Sequence, residues 1–340
     1  MSKLSIGIVG LPNVGKSTLF NILTKQSVNA ANYPFATIDA NVGVVSVPDE
    51  RLDKVAELNN KSDKKIPTVV EFYDIAGLVK DANKGAGLGN KFLSHIKETN
   101  VILHLVRCFE SEDVVHIEGV VNPKKDINVI EDELVLKDLE IVERNLEKIK
   151  SKMRTGDKEV EKEYKTLVKI KDVLEFAEPL ASAEIGKNEE IQKFAKQLNL
   201  LTIKKQLFLL NGKETDVSDE LKEKIKMMDF DYIIADLNEQ TTVPNVIKKT
   251  YELLDLITFF TMNEKETRAW AITRDIKAPQ AAGVIHTDFE KKFIRTEVIT
   301  WEKLLEAGSW GEARNKGWLR VEGKDYIVQN GDVMYFRTGK

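Results

Sequence analysis

The sequence contains one cysteine, Cys108, in 340 residues. That count excludes a disulfide framework, and Cys108, which follows an apolar run, reads as a small core residue. No stretch of apolar residues is long enough to span a bilayer, so no membrane partner is expected. The chain runs directly into an apolar strand, without the charged, apolar and small-residue regions of a secretory signal. Together with the lone cysteine, this predicts a cytoplasmic protein. A strongly basic tail is also missing. Lys and Arg number 51 against 55 Asp and Glu, a net charge of −4, so any contact with RNA has to use local patches. Internal repeats and low-complexity tracts are absent, and the length predicts two or three ordinary globular domains.

What is present begins at the amino end. Ser5–Val9 reads as a short buried strand, followed at once by Gly10-Leu11-Pro12-Asn13-Val14-Gly15-Lys16-Ser17-Thr18. This is the phosphate-loop pattern, in the strand-to-helix context its mechanism needs. The main-chain amides of Asn13, Val14, Gly15, Lys16, Ser17 and Thr18 are placed to converge on phosphate oxygens. Lys16 adds a point charge, the Ser17 hydroxyl is a Mg²⁺ ligand, and the helix amino terminus favours the anion. A potassium ion near Asn13 is a further possible source of charge.

Apolar runs at Ser5–Val9, Val42–Val47, Thr68–Tyr73 and Val101–Val106 alternate with helical stretches, the α/β pattern of a mostly parallel sheet. From Glu131 to Met153, apolar residues recur at alternating spacings of four and three. A second stripe runs from Val160 to Leu174 beyond a turn at Arg154–Lys158. This predicts an antiparallel, coiled-coil-like helical hairpin inserted into the sheet domain. Strand signals resume at Gln206–Leu210 and Tyr232–Ala235, with a helix at Leu221–Met227. After about Asp255, short strands at Ile257–Phe260, Ala269–Ile272, Phe293–Val298, Asp325–Val328 and Val333–Phe336 predict a small α+β domain.

The remaining parts of a nucleotide site follow in order. Asp74-Ile75-Ala76-Gly77 ends the third strand, where Asp74 can hold Mg²⁺ and the Gly77 amide can approach a γ-phosphate. Asn32–Thr37 has the character of a switch loop, and Thr37 is a second candidate hydroxyl for Mg²⁺. Asn211-Gly212-Lys213-Glu214 follows a later strand, where guanine-reading proteins carry Asn-Lys-x-Asp. The change to Gly212 and Glu214 predicts weakened guanine preference, so ATP over GTP, with Asn211 and Gly212 lining the base. Leu78 stands where switch proteins of this class place a water-orienting glutamine. Hydrolysis is therefore expected to be slow or to rely on another group, and His116 is a candidate for it.

These residues together carry a family resemblance. The chain resembles the Obg-like ATPases of the YchF type, related to translation-factor P-loop GTPases. The resemblance rests on Gly10–Thr18, Asn32–Phe35 with Thr37, Asp74–Leu78, Lys84–Asn90, Asn211 to Glu214, Ala278–Phe289 and Gly323–Val328, and it covers essentially the whole chain. It implies a G domain (1–130 and 201–254), an inserted helical hairpin domain (131–200) and a C-terminal β-grasp, TGS-type domain (255–340). It also implies hydrolysis of ATP, with GTP less well used, and Mg²⁺ as cofactor. Ribosome binding is implied too, with RNA contacted through the C-terminal domain or the interdomain cleft. His116 occupies the position of the family's catalytic histidine. One departure stands out. The family's Ser-Ala-type base motif is replaced by the shorter run Tyr232–Pro244. Two other readings remain open: a ribosome- or RNA-binding regulatory factor for which hydrolysis is incidental, and a GTP-preferring GTPase.

Overall fold

The computed structural model of the chain describes residues 4–25, 41–59, 62–75, 90–111, 120–153, 157–239 and 243–339. In chain order the first elements are β1 (Ser5–Val9), α1 (Lys16–Lys25), β2 (Val42–Ser46), α2 (Glu50–Glu57), β3 (Lys65–Ile66), β4 (Val69–Asp74), α3 (Asn90–Glu98) and β5 (Val101–Arg107). Three helices follow: α4 (Pro123–Lys152), α5 (Lys158–Glu175) and α6 (Glu189–Gln197). Then come β6 (Gln206–Asn211), α7 (Asp219–Met227), β7 (Asp231–Ala235) and α8 (Val243–Leu253). The C-terminal elements are β8 (Leu256–Met262), β9 (Thr267–Thr273), α9 (Ala278–Ile285), α10 (Thr287–Lys291), β10 (Phe293–Thr300), α11 (Trp301–Ala307), α12 (Trp310–Asn315), β11 (Arg320–Glu322) and β12 (Asp332–Thr338).

The first sheet has the order β2-β4-β1-β5-β6-β7. Its pairings are parallel, apart from β2 against β4, which matches the mostly parallel sheet expected. Strands β1, β5 and β6 are buried at every position because both faces are covered, and so they read as unbroken apolar runs. Ile6, Ile8, Leu103 and Leu207 meet Leu19 and Leu23 of α1 and Val246 and Ile247 of α8 in one core. Parallel pairing brings the carboxyl ends of β1, β4, β5, β6 and β7 to one edge, and ligands of open α/β sheets bind at that edge.

Helix α4 starts earlier than the apolar stripe predicts. Asn122 accepts from the Lys125 amide and Pro123 opens the first turn, so capping sets the start. Its early residues Ile130 and Leu134 pack into the sheet core. Its later residues Val142, Leu146 and Ile149 pack against Leu167, Ile170 and Leu174 of α5, so the hairpin is present. Helix α6 joins the same cluster through Ile191 and Ala195, an element the stripe analysis does not anticipate. Asp138, fully buried, accepts from the Leu201 and Thr202 amides, each at 2.8 Å, and from the Thr202 hydroxyl at 2.6 Å. The return of the chain to β6 is thereby fastened to the middle of α4.

The second sheet has the order β11-β10-β12-β8-β9-β3. Hairpin β8–β9, crossover helix α9, an antiparallel β10–β11 pair joined through α11 and α12, and a parallel β12–β8 pairing make the β-grasp arrangement expected. The expected strand Asp325–Val328 does not form. Ala278 N–H donates to the Tyr326 carbonyl and Val328 N–H to the Ile276 carbonyl, so this run pairs locally through a single bridge, Lys277 with Ile327. The strand on that side is instead Arg320–Glu322.

The segment between β2 and β4 belongs to this second sheet. Strand β3 pairs in parallel with β9, and Leu52 and Val55 of α2 bury against Phe260, Ile299 and Val333. The Asn59 side chain donates to the Asn263 carbonyl and the Thr267 hydroxyl, both at 3.0 Å.

Candidate functional site

The phosphate loop takes its shape from three left-handed or glycine-only positions: Gly10 at φ 156°, Asn13 at φ 65° and Gly15 at φ 104°. A Cβ on Gly10 would lie 2.3 Å from the Leu105 carbonyl oxygen, so the loop can lie this close to β5 only without a side chain. Lys16 opens α1, whose first turn carries no acidic residue. Its ammonium is buried and donates to the Leu11 carbonyl at 2.5 Å. Burial pulls the Lys16 pKa down to about 8, and the nearby Asp74 carboxylate opposes that shift. Ser17 and Thr18 are exposed on the same turn.

The structure therefore brings Lys16 and Ser17 of α1 and Asp74 of β4 to one edge of the sheet. A hydroxyl and a carboxylate beside the phosphate loop are the hard oxygen donors that Mg²⁺ takes together with phosphate oxygens. Among the described residues no group of three or more His, Cys, Asp or Glu could hold a metal ion. A phosphate-loop Mg²⁺ needs no such cage. Thr37, Gly77 and His116, expected at this site, lie outside the described residues, as do Leu78 and the loops around them.

A cavity of about 570 Å³ opens at the neighbouring strand ends, lined by Phe109, Glu110, Gly212, Lys213, Asp216 and Asn238 among others. Asn211 joins it to the phosphate loop. The buried Asn211 amide nitrogen donates to the Val14 carbonyl at 2.8 Å, and its oxygen accepts from Leu237 N–H at 3.3 Å. A Cβ on Gly15 would meet that amide nitrogen at 2.8 Å. Gly212 lines the cavity and is itself hemmed in, since a Cβ there would lie 3.2 Å from an Asp216 oxygen.

Glu214 is placed differently from the expectation. It opens a one-turn 3₁₀ helix, Glu214–Asp216, that swings its carboxylate onto Lys222 at 2.6 Å, and it is not among the residues lining the cavity. Asp216 lies there instead, its carboxylate accepting from Lys213 N–H at 2.8 Å. Sequence reasoning also missed Phe109. Arg107, fully buried at the end of β5, donates to the Phe109 carbonyl at 3.0 Å and stacks its guanidinium 4.7 Å from the Phe109 ring centre. Phe109 follows a parallel strand next to β6, and that topological position was the signal available. Cys108 is buried, as expected, and burial pushes its thiol up to about 12. Asp236 and Asn238, from the shortened run after Tyr232, complete the lining.

Comparison with known proteins places the whole chain among relatives of one family. Residues 5–143 match the family described as "50S ribosome-binding GTPase", and residues 256–339 match the YchF-GTPase_C family, described as a protein of unknown function. The chain is 43% identical to the ribosome-binding ATPase YchF of Bacillus subtilis over 98% of this chain and 99% of that one. It is 46% identical to the protein of the same name in Pasteurella multocida, over 97% and 98%. It is 40% identical to Obg-like ATPase 1 of Pongo abelii, over 99% and 92%. The solved structure of the Schizosaccharomyces pombe YchF GTPase superposes with a TM-score of 0.85 at 34% identity, covering 99% of this chain and 98% of that one. With its phosphate loop, helical insertion and C-terminal β-grasp sheet in place, the chain belongs to the YchF/Obg-like ATPase family.

Proposed function

We propose that the protein is a Mg²⁺-dependent ATPase that uses GTP less well and acts as a slow nucleotide switch at the ribosome, in the cytoplasm. The observation that carries this reading is the linkage of two half-sites through Asn211, with Lys16 and Asp74 on one side and the base cavity on the other. The amides of residues 13–18 and the Lys16 ammonium grip the phosphates, and potassium near Asn13 is a possible aid. Ser17, Asp74 and Thr37 hold Mg²⁺, which offsets charge building on the β- and γ-phosphates. Gly77 N–H receives the γ-phosphate and His116 orients water, since Leu78 can neither donate nor accept.

Phe109 offers a ring face to the base. The cavity lacks the Asn-Lys-x-Asp arrangement that reads guanine, and Glu214 is occupied by Lys222. The ribosomal assignment follows the names of the bacterial relatives. Calorimetry with MgATP and MgGTP tests the reading. Tighter ATP binding in the wild type, lost in Lys16→Ala, is the expected result. Equal affinities would reject adenine preference, and unaltered binding by Lys16→Ala would reject the phosphate-loop assignment.

A further inference from the structure

Strand β5 is buried from end to end, yet its last residue carries a charge. Arg107 is 1% exposed, in a strand whose only other polar side chain is His104. A guanidinium holds its proton at every accessible pH, so it cannot escape burial by becoming neutral. An apolar residue would serve the core here at lower cost. Two contacts of Arg107 show what the charge does instead, and both fall on one residue. Its Nε donates to the Phe109 carbonyl at 3.0 Å, and its guanidinium carbon lies 4.7 Å from the centre of the Phe109 ring. The first fixes the backbone of Phe109 and the second its side chain.

Phe109 stands just beyond the strand end, half-buried, on the wall of the first cavity. Among the described residues lining that cavity it carries the one ring, and most of the others are charged or amide side chains. Pairing continues past the strand ends to hold it there. Arg107 lies opposite Asn211 in the parallel register, Cys108 N–H donates to the Asn211 carbonyl at 2.9 Å, and Gly212 N–H donates to the Ala235 carbonyl at 3.1 Å. The segment carrying Phe109 is thus tied to the residue that reaches the phosphate loop through the Val14 carbonyl. A ring left free at a strand end gives up rotamer freedom when a base settles on it, and that loss subtracts from affinity. A cation stacked on the ring and bonded to the ring's own backbone removes the freedom beforehand. Arginine suits the task because its planar fork donates and stacks at once, which an ammonium does not.

We propose that Arg107 is a positioning residue for the nucleotide: it holds the Phe109 ring as a preformed platform on which the base stacks, and itself touches neither base nor phosphate. Stacking on a ring tolerates any base, because every base has a π face. The platform therefore adds affinity for nucleotides as a class, and discrimination between adenine and guanine falls to polar groups elsewhere in the cavity. The proposal rests on the nucleotide-binding reading and deepens it. Its test turns on Arg107 and Phe109, whereas that reading turns on Lys16, so the proposal can fail while the reading stands.

The test is a double-mutant cycle, read by calorimetry of MgATP and MgGTP with the full chain. Phe109→Ala should weaken MgATP binding about 5- to 100-fold, as expected for losing a base–aromatic stack. Arg107→Met should weaken it by a smaller factor, and in a Phe109→Ala background it should add no further loss. Both single variants should keep the wild-type ratio of MgATP to MgGTP affinity. Magnesium tripolyphosphate offers phosphates without a base, and it should bind the wild type and both variants alike. Arg107→Lys keeps a cation and a donor but not the plane, so its MgATP affinity should fall between those of the wild type and Arg107→Met. Lys16→Ala should lose MgATP and tripolyphosphate together, which keeps the two readings apart.

Equal losses of MgATP and tripolyphosphate in Arg107→Met would make Arg107 a support of the phosphate loop or of the fold, and would overturn the proposal. So would losses that simply add in the double variant, or Arg107→Met binding MgATP as tightly as wild type. Should Arg107→Met not fold, Arg107→Lys carries the same cycle, and full additivity with Phe109→Ala is again the overturning result.

Discussion

Both ends of the Asn211 side-chain amide are committed to the protein, one to the Val14 carbonyl and one to the Leu237 amide. Removing a buried group of this kind leaves partners unsatisfied, at a cost of about 1–3 kcal/mol. Asn211→Ala is therefore expected to lower unfolding stability by that amount and to weaken MgATP binding, as the loop loses its tether. Denaturant titration and calorimetry check the two effects, and a loss of affinity at unchanged stability would rule out the tether. Lys16 predicts a pH dependence. Its pKa in the unliganded fold is drawn down to about 8 by burial, whereas triphosphate favours the ammonium form. Above pH 8 the free protein has lost a proton that the complex retains. Binding should then take up a proton, and affinity should fall by up to about tenfold per pH unit. Calorimetry in buffers of different ionisation enthalpy measures the uptake, and an affinity flat from pH 7 to about 9.5 would contradict the mechanism. The phosphate loop was legible because its function is written in nine consecutive residues. Glu214 was not, because a single 3₁₀ turn redirects its side chain and no periodicity announces such a turn.

At the scale of elements, α4 is the unusual member, since one continuous helix serves two cores. Its first turns belong to the sheet domain and its later turns to the hairpin. Asp138 marks the junction. Burial raises its pKa to about 6, although three hydrogen bonds to the 201–202 segment act in the opposite direction. Asp138→Ala should orphan two amides and one hydroxyl and destabilise the protein by about 2–4 kcal/mol. Hydrogen exchange should show the loss first at residues 198–204, and protection unchanged there would refute the latch. The helices were readable because long stripes of a regular period leave little ambiguity. The short elements were not. The run Asp325–Val328 has strand composition yet pairs locally with residues 276–278, and the two-residue β3 forms only because β9 offers it an edge. Tertiary context decides such cases.

For the whole molecule, the decisive feature is the path of residues 49–66. They leave the first sheet after β2, place α2 and β3 on the second, and return as β4, whose last residue is Asp74. A chain ended after Leu254 should not yield a stable nucleotide-binding core. Leu52 and Val55 would lose Phe260, Ile299 and Val333, and β3 would lose β9, its ladder partner among the described strands. Aggregation or a markedly lowered melting temperature is the expected outcome, and a soluble truncated monomer with normal MgATP affinity would contradict it. The consequence reaches the history of the protein. The C-terminal domain is not a cassette that recombination can exchange freely, because its sixth strand is encoded some two hundred codons upstream, inside the nucleotide-binding half. Any chimera that swaps residues 255–339 has to carry a matching 49–66 loop from the same parent.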